Sequence, residues 1–515
     1  MSSALDQLSR DYGTVTDLIR AHATERPQRI ALIEGERQLD FAALDALMDR
    51  IAAALQRDGI GPGGAIAIAA GTSIEYAAVF LGALRAGAAV APLAPSSTPE
   101  SLAAMTADAD AAILFLDGAN EAAMSGVMPQ VKARRVRLDT AAFEAWLAPL
   151  GAKPAAVDVH PDAPFNIIYS SGTTGTPKGI IQPHKMRWSH VQRAAINGYN
   201  TERTVALLST PLYSNTTLVI FFPALGWGGT VVLMPKFEVK AYLDLAQQHR
   251  VTHTMLVPVQ YSRLMQHPDF DRYDLSSFEA KFCTSAPFNA ALKADVVKRW
   301  PGKLIEYYGM TEGGGTCILQ AHAFPDKLHT VGQPAPGHDI RLIDEQGNEV
   351  APGEVGEIVG HSGTVMVGYH KQPGKTAEAE WYDSQGRRFI RTGDMGRFDA
   401  DGFLTLMDRK KDMIISGGFN VYPSDLELVL RSHADVAEAA VVGMPSERWG
   451  ETPVAFVVLK PGATASADQL LAHANAQLGK TQRLAAVEIL DSLPRSAIGK
   501  VLKRELRDSF SRKLA

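Results

Sequence analysis

The chain has 515 residues, of which 46% are hydrophobic and 21% charged, and its formal net charge is -5. That length allows more than one domain, and the mixed charge gives no electrostatic case for nucleic acid or an anionic membrane surface. Only two cysteines occur, Cys283 and Cys317; they cannot supply a disulfide framework or a four-ligand zinc site, and both are expected to be buried.

Residues 1–14 hold no basic region followed by an apolar stretch, so a cytoplasmic location without a signal peptide is expected. Leu44, Leu47, Ile51 and Leu55 recur at helical spacing, and Gly59 ends that helix. A strand at Ala65–Ile68, a helix at Ile74–Ala86 and a strand at Ala88–Ala91 follow. The apolar stretches Ile74–Ala91 and Thr217–Met234 are interrupted, the first by Arg85 and the second by Pro223 and glycines. Both therefore read as buried elements, and no membrane span is expected. Further strands near Phe165–Tyr169, Val205–Leu208, Thr230–Met234 and Thr254–Val257 keep alternating with helices to about residue 320. This predicts an α/β fold with a large N-terminal domain of packed, mostly parallel sheets.

After about residue 330 the segments shorten and are bounded by Gly, Pro and Asp, as in Asp339–Asp344, Gly356–Val359 and Phe403–Met407. They predict a small antiparallel β subdomain. Strands Val436–Val442 and Pro453–Leu459, a helix Ser466–Leu478 and a basic terminal helix then predict a small α+β C-terminal domain. The expected boundary separates residues 1–408 from 409–515.

The strongest local signal is Tyr169-Ser170-Ser171-Gly172-Thr173-Thr174-Gly175-Thr176-Pro177-Lys178-Gly179, placed directly after an apolar strand. Small residues let backbone N–H groups approach phosphate oxygens, hydroxyls add donors, and lysine adds charge. Pro177 stands where the common nucleotide loop requires glycine before lysine, so that loop type is excluded. Four more stretches follow in order: Tyr308-Gly309-Met310-Thr311-Glu312, Arg391-Thr392-Gly393-Asp394, Asp408-Arg409-Lys410-Lys411-Asp412 and Pro494-Arg495-Ser496-Ala497-Ile498-Gly499-Lys500. With these the chain resembles the adenylate-forming superfamily over nearly its whole length. That superfamily comprises acyl- and aryl-CoA ligases, luciferases and peptide-synthetase adenylation domains, and the likeness is greatest to the CoA ligases.

The resemblance implies a mechanism in two steps. A small carboxylic acid and ATP give an acyl-adenylate and pyrophosphate, with Mg²⁺ assisting, and coenzyme A then takes the acyl group. It assigns Ser170, Ser171, Gly172, Thr173, Thr174, Gly175, Thr176 and Lys178 to the ATP phosphates, and Thr311 to the α-phosphate. Glu312 would hold Mg²⁺, whose preference is for oxygen ligands. Ser285, Ala286, Pro287, Glu306, Tyr307, Tyr308 and Gly309 would surround AMP; Asp394 would accept both ribose hydroxyls, and Arg409 would contact ribose or phosphate. Lys500 would touch the carboxylate and α-phosphate during adenylation. The C-terminal domain would then turn about Lys411, and Gly417, Gly418 and Phe419 would line a pantetheine tunnel. Trp449, in Arg448-Trp449-Gly450-Glu451, would stack on the CoA adenine.

The same resemblance places the acyl pocket at Tyr213, Ser214, Asn215, Val257, Ser285, Tyr307 and Gly309. Ser214 falls where amino-acid-activating relatives carry aspartate, so an ammonium-bearing substrate would lack its counter-charge. Many aryl-CoA ligases have histidine there, and this chain departs from them too. Relatives with long acyl tunnels have glycine where Tyr307 stands. A planar aromatic acid, benzoate- or hydroxycinnamate-like, is therefore expected, with a medium-chain fatty acid as the alternative. No carrier-protein domain is seen after Lys500, which favours free CoA over a carrier in the same chain; loading of a separate carrier protein stays as an alternative. Either a monomer or a homodimer is compatible with the sequence.

Overall fold

The structure, a computed structural model, describes residues 3–170, 178–199, 203–409, 412–416, 419–446, 449–479, 482–496 and 500–514. The chain divides into two compact units. The first comprises Met1–Leu328, Pro334–Asp339 and His361–Ile390; the second comprises His329–Gln333, Ile340–Gly360 and Arg391–Ala515.

The first unit is built on two sheets. In one, Ala65–Ala69 lies parallel between Ala89–Pro92 and Ala111–Leu116, with Pro164–Ser170 and Arg134–Arg137 on the outer sides of these. Every residue of Ala65–Ala69 is buried, which is why the run does not alternate apolar with polar: both faces are covered. Beyond Pro164–Ser170 the direction reverses. Lys178–Pro183 pairs antiparallel with it, and the two-residue strand Gly368–Tyr369 pairs antiparallel with Lys178–Pro183. In the other sheet Val205–Leu208, Thr230–Leu233, His253–Leu256, Ala280–Cys283 and Lys303–Tyr308 are all parallel, and Cys317–Gln320 closes antiparallel on the last of them. Ile30–Glu34 and Arg37–Asp40 complete the far edge.

The expected helix over 74–86 runs Ile74–Arg85 and begins at Ser73, whose hydroxyl accepts the Tyr76 N–H. Arg85 does not reach solvent. Its guanidinium bonds Asp49 Oδ1 at 2.9 Å and Asp45 Oδ1 at 2.6 Å, so the charge that interrupts the apolar run is neutralised inside it. Thr217–Met234 resolves into the helix Asn215–Gly226, with Pro223 inside, and the strand Thr230–Leu233. Among the described residues no helix is long and apolar enough to cross a membrane. Phe80, Phe165 and Phe222 meet edge to face in the core beneath both sheets. Cys283 and Cys317 are both buried.

The second unit holds antiparallel strands, among them residues 391–398 of the strand Arg388–Phe398 with Leu404–Arg409, which place Asp394 opposite Arg409. Ile414–Ser416, Phe419–Val421, Val436–Ser446 and Gly450–Leu459 form a further antiparallel sheet, with Ala486–Ile489 added parallel to the last of these. Helices Pro423–Arg431 and Ala467–Gln477 cover it; the latter starts in a Ser466/Gln469 capping box. Leu426, Leu430, Val441, Val457 and Leu470 form the core beneath them.

Candidate active site

The strands on either side of the glycine- and hydroxyl-rich stretch, Pro164–Ser170 and Lys178–Pro183, pair antiparallel so that Ser170 faces Lys178. Ser171, Gly172, Thr173, Thr174, Gly175 and Thr176 themselves lie outside the described residues, as does the side chain of Ser170. Gly179 fits only without a side chain: a Cβ there would stand 2.9 Å from Ile167 and 3.1 Å from the Tyr169 ring.

Lys178 holds its ammonium 5.0 Å above the ring of Tyr369, a cation facing the negative face of an aromatic. The Tyr369 hydroxyl donates to Glu312 Oε1 at 2.9 Å. Burial first, and then Glu312, raise the phenol pKa, so Tyr369 stays a donor. Glu312 follows the strand Lys303–Tyr308 on a turn pinned from outside: its carbonyl accepts the Met366 N–H at 2.8 Å, and Gly314 N–H reaches Thr364 O at 3.1 Å. Gly313 has φ +77, and a Cβ there would meet Thr364 O at 2.3 Å, so glycine is required. The Thr311 carbonyl accepts from Gln182 Nε2 at 2.6 Å.

Three expected site residues, Lys178, Thr311 and Glu312, are thus drawn together by two residues that the sequence reading missed, Tyr369 and Gln182. Among the described residues no group of three or more His, Cys, Asp or Glu side chains could hold a metal by itself. Glu312 retains Oε2 as a ligand. That suits Mg²⁺, which takes one or two carboxylates and completes its octahedron with phosphate and water oxygens.

The residues expected at the acyl pocket come from several elements of the first unit. Ser285 has φ +81, and its Oγ is 2.6 Å from Thr216 Oγ1, joining the segments of Ser214–Asn215 and Ser285–Pro287. Asn215 begins its helix with Oδ1 accepting from Arg187 Nη2 at 2.8 Å. Ser214 and Val257 are buried as the residues capping their helices, while Tyr213 is only partly covered. Tyr307 packs its ring against Phe282, centroids 5.8 Å apart, and its hydroxyl accepts from Asn197 Nδ2 at 3.0 Å. Gly309 is exposed, and a Cβ there would come 3.3 Å from Thr316 Oγ1.

Glu306 behaves differently from its neighbour. Strand alternation turns its carboxylate to the opposite face, where it pairs with the buried Lys293. Burial pushes its pKa up to about 7 against the pull of Lys293. The Glu306 carboxylate is taken up by Lys293.

In the second unit Asp394 sits at a bulge after Gly393, whose φ is +69, and its N–H donates to Thr392 Oγ1 at 3.0 Å. Arg391 forms a two-pronged pair with Glu357, and Asp412 pairs with Arg507 Nη2 at 3.3 Å. The side chain of Arg409, and Lys411 entirely, are outside the described residues. Ser416 pairs with Phe419, and Gly417 and Gly418 lie outside the described residues. Ser416 also pairs with Gly450. The two segments expected at CoA, that of Ser416 and Phe419 and that of Trp449, are therefore neighbours; nothing is described of the Phe419 side chain, and Trp449 is 46% exposed. Lys500 is exposed, and its carbonyl accepts the Ser496 N–H at 2.8 Å.

Comparison with known proteins places the chain in a family. Residues 19–370 match the model of the AMP-binding enzyme family, and residues 425–500 match the AMP-binding enzyme C-terminal domain. A fatty acid–[acyl-carrier-protein] ligase of Streptomyces coeruleorubidus is 32% identical over 506 residues, 96% of each chain. The indoleacetate–CoA ligase of Aromatoleum aromaticum is 33% identical over 522 residues, 97% of this chain and 98% of that one. Among solved structures, ATP-bound MatB from Rhodopseudomonas palustris superposes with a TM-score of 0.85 at 28% identity, covering 97% of this chain and 99% of that one.

Proposed function

The chain belongs to the AMP-binding enzyme family, and on that footing we propose that it activates an aromatic carboxylic acid and hands the acyl group to free coenzyme A. The protein is an AMP-forming acyl/aryl-CoA ligase that uses ATP, Mg²⁺ and CoA. Adenylation asks little covalent chemistry of the protein: a carboxylate oxygen attacks the α-phosphorus, the bond to pyrophosphate breaks, and two anions must be held in line.

Lys178 and the loop it closes hold the phosphates. Glu312, oriented by Tyr369, would hold Mg²⁺, which supplies charge neutralisation on the triphosphate. Thr311 positions the α-phosphate, and Lys500 stabilises charge on the reacting carboxylate and α-phosphate. In the second step the thiol displaces AMP from the mixed anhydride. Residues 409–515 turn about Lys411 for that step, and the glycine stretch and Trp449 receive CoA.

The observation that carries the aromatic reading is Tyr307. Its ring is fixed between Phe282 and the Asn197 amide, and a phenol held there supports a flat, short pocket over a long tunnel. Pyrophosphate release over a panel of aromatic and aliphatic acids, with CoA present, tests it: benzoates or cinnamates should lead. The relative that loads an acyl carrier protein supports a second reading, in which the acceptor is a carrier. Offering CoA and a phosphopantetheinylated carrier in turn separates the two.

A further inference from the structure

The helix His184–Arg193 runs beside the acyl-pocket residues and carries a basic side chain at every third position: His184, Arg187, His190 and Arg193. His184 and Arg187 are 4% and 1% exposed. None of the four has a carboxylate partner among the described residues. Arg187 gives Nη2 to the amide oxygens of Gln182 and Asn215, and its guanidinium lies over the Phe165 and Phe222 rings at 5.8 and 5.9 Å. Its Nε and Nη1 are buried with no acceptor, and so is His190 Nδ1. A buried arginine without an anion is costly.

Arg193 stands farther along the same helix and is only partly covered. It donates Nε to Ser189 O at 3.2 Å, and its Nη1 is 2.6 Å from His338 Nε2. His338 Nδ1 already accepts the Thr316 N–H at 3.0 Å. Burial, then Arg193, hold His338 down to about 4, so its ring is neutral. A neutral imidazole has one lone-pair nitrogen, yet both of its nitrogens here face donors. The Tyr307 hydroxyl, which accepts from Asn197, also keeps a proton to give. Donors therefore outnumber acceptors among Arg193, His338, the Thr316 N–H and the Tyr307 hydroxyl.

We propose that the acid carries a second anionic, hydrogen-bond-accepting group at the end remote from its reacting carboxylate, and that Arg193 receives it with Arg187 adding positive charge behind. A carboxylate fits best, because its two oxygens match the guanidinium fork. This rests on the ligase reading above, since it concerns the acid that reading activates.

The test compares acids that differ only at the remote end: cinnamate with 4-carboxycinnamate, and octanoate with octanedioate. With the wild-type enzyme the dicarboxylate of each pair should have the higher kcat/KM, by at least about 100-fold in the pair whose length fits. Arg193→Met should remove most of that preference while changing the monocarboxylate less than about threefold, and Arg193→Lys should restore part of it. Monocarboxylates turned over as well as their partners by the wild type would overturn the inference, even if Arg193→Met fails to fold. So would equal loss on both acids in a variant with an unchanged melting temperature. AMP and pyrophosphate formed from any acid of the panel keep the ligase reading whichever way the preference falls. Should no acid turn over, that reading fails, and the remote-group inference is decided by thermal shift: a larger rise with dicarboxylate than with monocarboxylate upholds it, and equal rises overturn it.

Discussion

The Tyr369 hydroxyl donates to Glu312 Oε1 at 2.9 Å while the Tyr369 ring lies 5.0 Å beneath the Lys178 ammonium. One side chain thus fixes the relative position of the cation that closes the phosphate loop and the carboxylate suited to magnesium.

Tyr369→Phe keeps the ring beneath Lys178 and removes the bond to Glu312. A hydrogen bond to a charged group contributes about 1.5–3 kcal/mol, so the KM for Mg²⁺–ATP should rise roughly tenfold or more. The half-saturating Mg²⁺ concentration should rise with it, while the KM for the acid stays near wild type. Titrating Mg²⁺ at fixed ATP checks this. An unchanged Mg²⁺ dependence would mean that Glu312 needs no orientation from Tyr369.

Tyr307→Gly should enlarge the acyl pocket and move the preference toward longer acids. The vacated space gains roughly 0.8 kcal/mol for each CH₂ that the substrate buries there. The readout is kcat/KM across a chain-length series. If the ranking of acids does not move, Tyr307 does not face the acid.

Lys500→Ala should separate the half-reactions. Loss of one preorganised donor from the adenylation transition state costs about 10²–10³-fold in rate. Thioester formation from chemically supplied acyl-adenylate should stay within about threefold of wild type, because no transition-state contact is lost there. A structural role would instead slow both steps and lower the melting temperature, so all three are measured on one preparation.

Acid should weaken the fold through histidines held neutral inside it. Burial lowers His184 to about 4, and His338 is lowered to about 4 by burial and then by Arg193. Their folded pKa lies below the unfolded value near 6.5, so the unfolded chain binds more protons between those limits. Their contribution is complete above about pH 6.5 and is lost as pH falls toward 4. For His184 this amounts to about 2–3 kcal/mol at pH 4.5. Urea midpoints for wild type and His184→Gln should therefore converge as pH falls from 7 to 4.5. Parallel curves would contradict the assignment.

The sequence made much of this legible because the informative residues are local. Val205–Leu208 and Thr230–Leu233 read as strands from short apolar runs, and Lys178 reads as a phosphate ligand from the glycines and hydroxyls before it. Tyr369 was illegible: its strand has two residues and no periodicity, and it reaches Ile180 only through pairing across nearly 190 positions of chain. Arg187 was illegible for a different reason: arginine is a residue that folds mostly leave exposed, yet here it is buried. Glu306 and Tyr307 are adjacent in sequence, but the pleat sends one to Lys293 and the other to Asn197.

The most direct measurement of the central claim follows the fate of ATP in a complete reaction with CoA and an aromatic acid, by chromatography of nucleotides and thioesters. The account predicts AMP, pyrophosphate and acyl-CoA in equal amounts, with acyl-adenylate accumulating when CoA is withheld. Release of ADP and orthophosphate, or AMP formation with no adenylate intermediate, would contradict it.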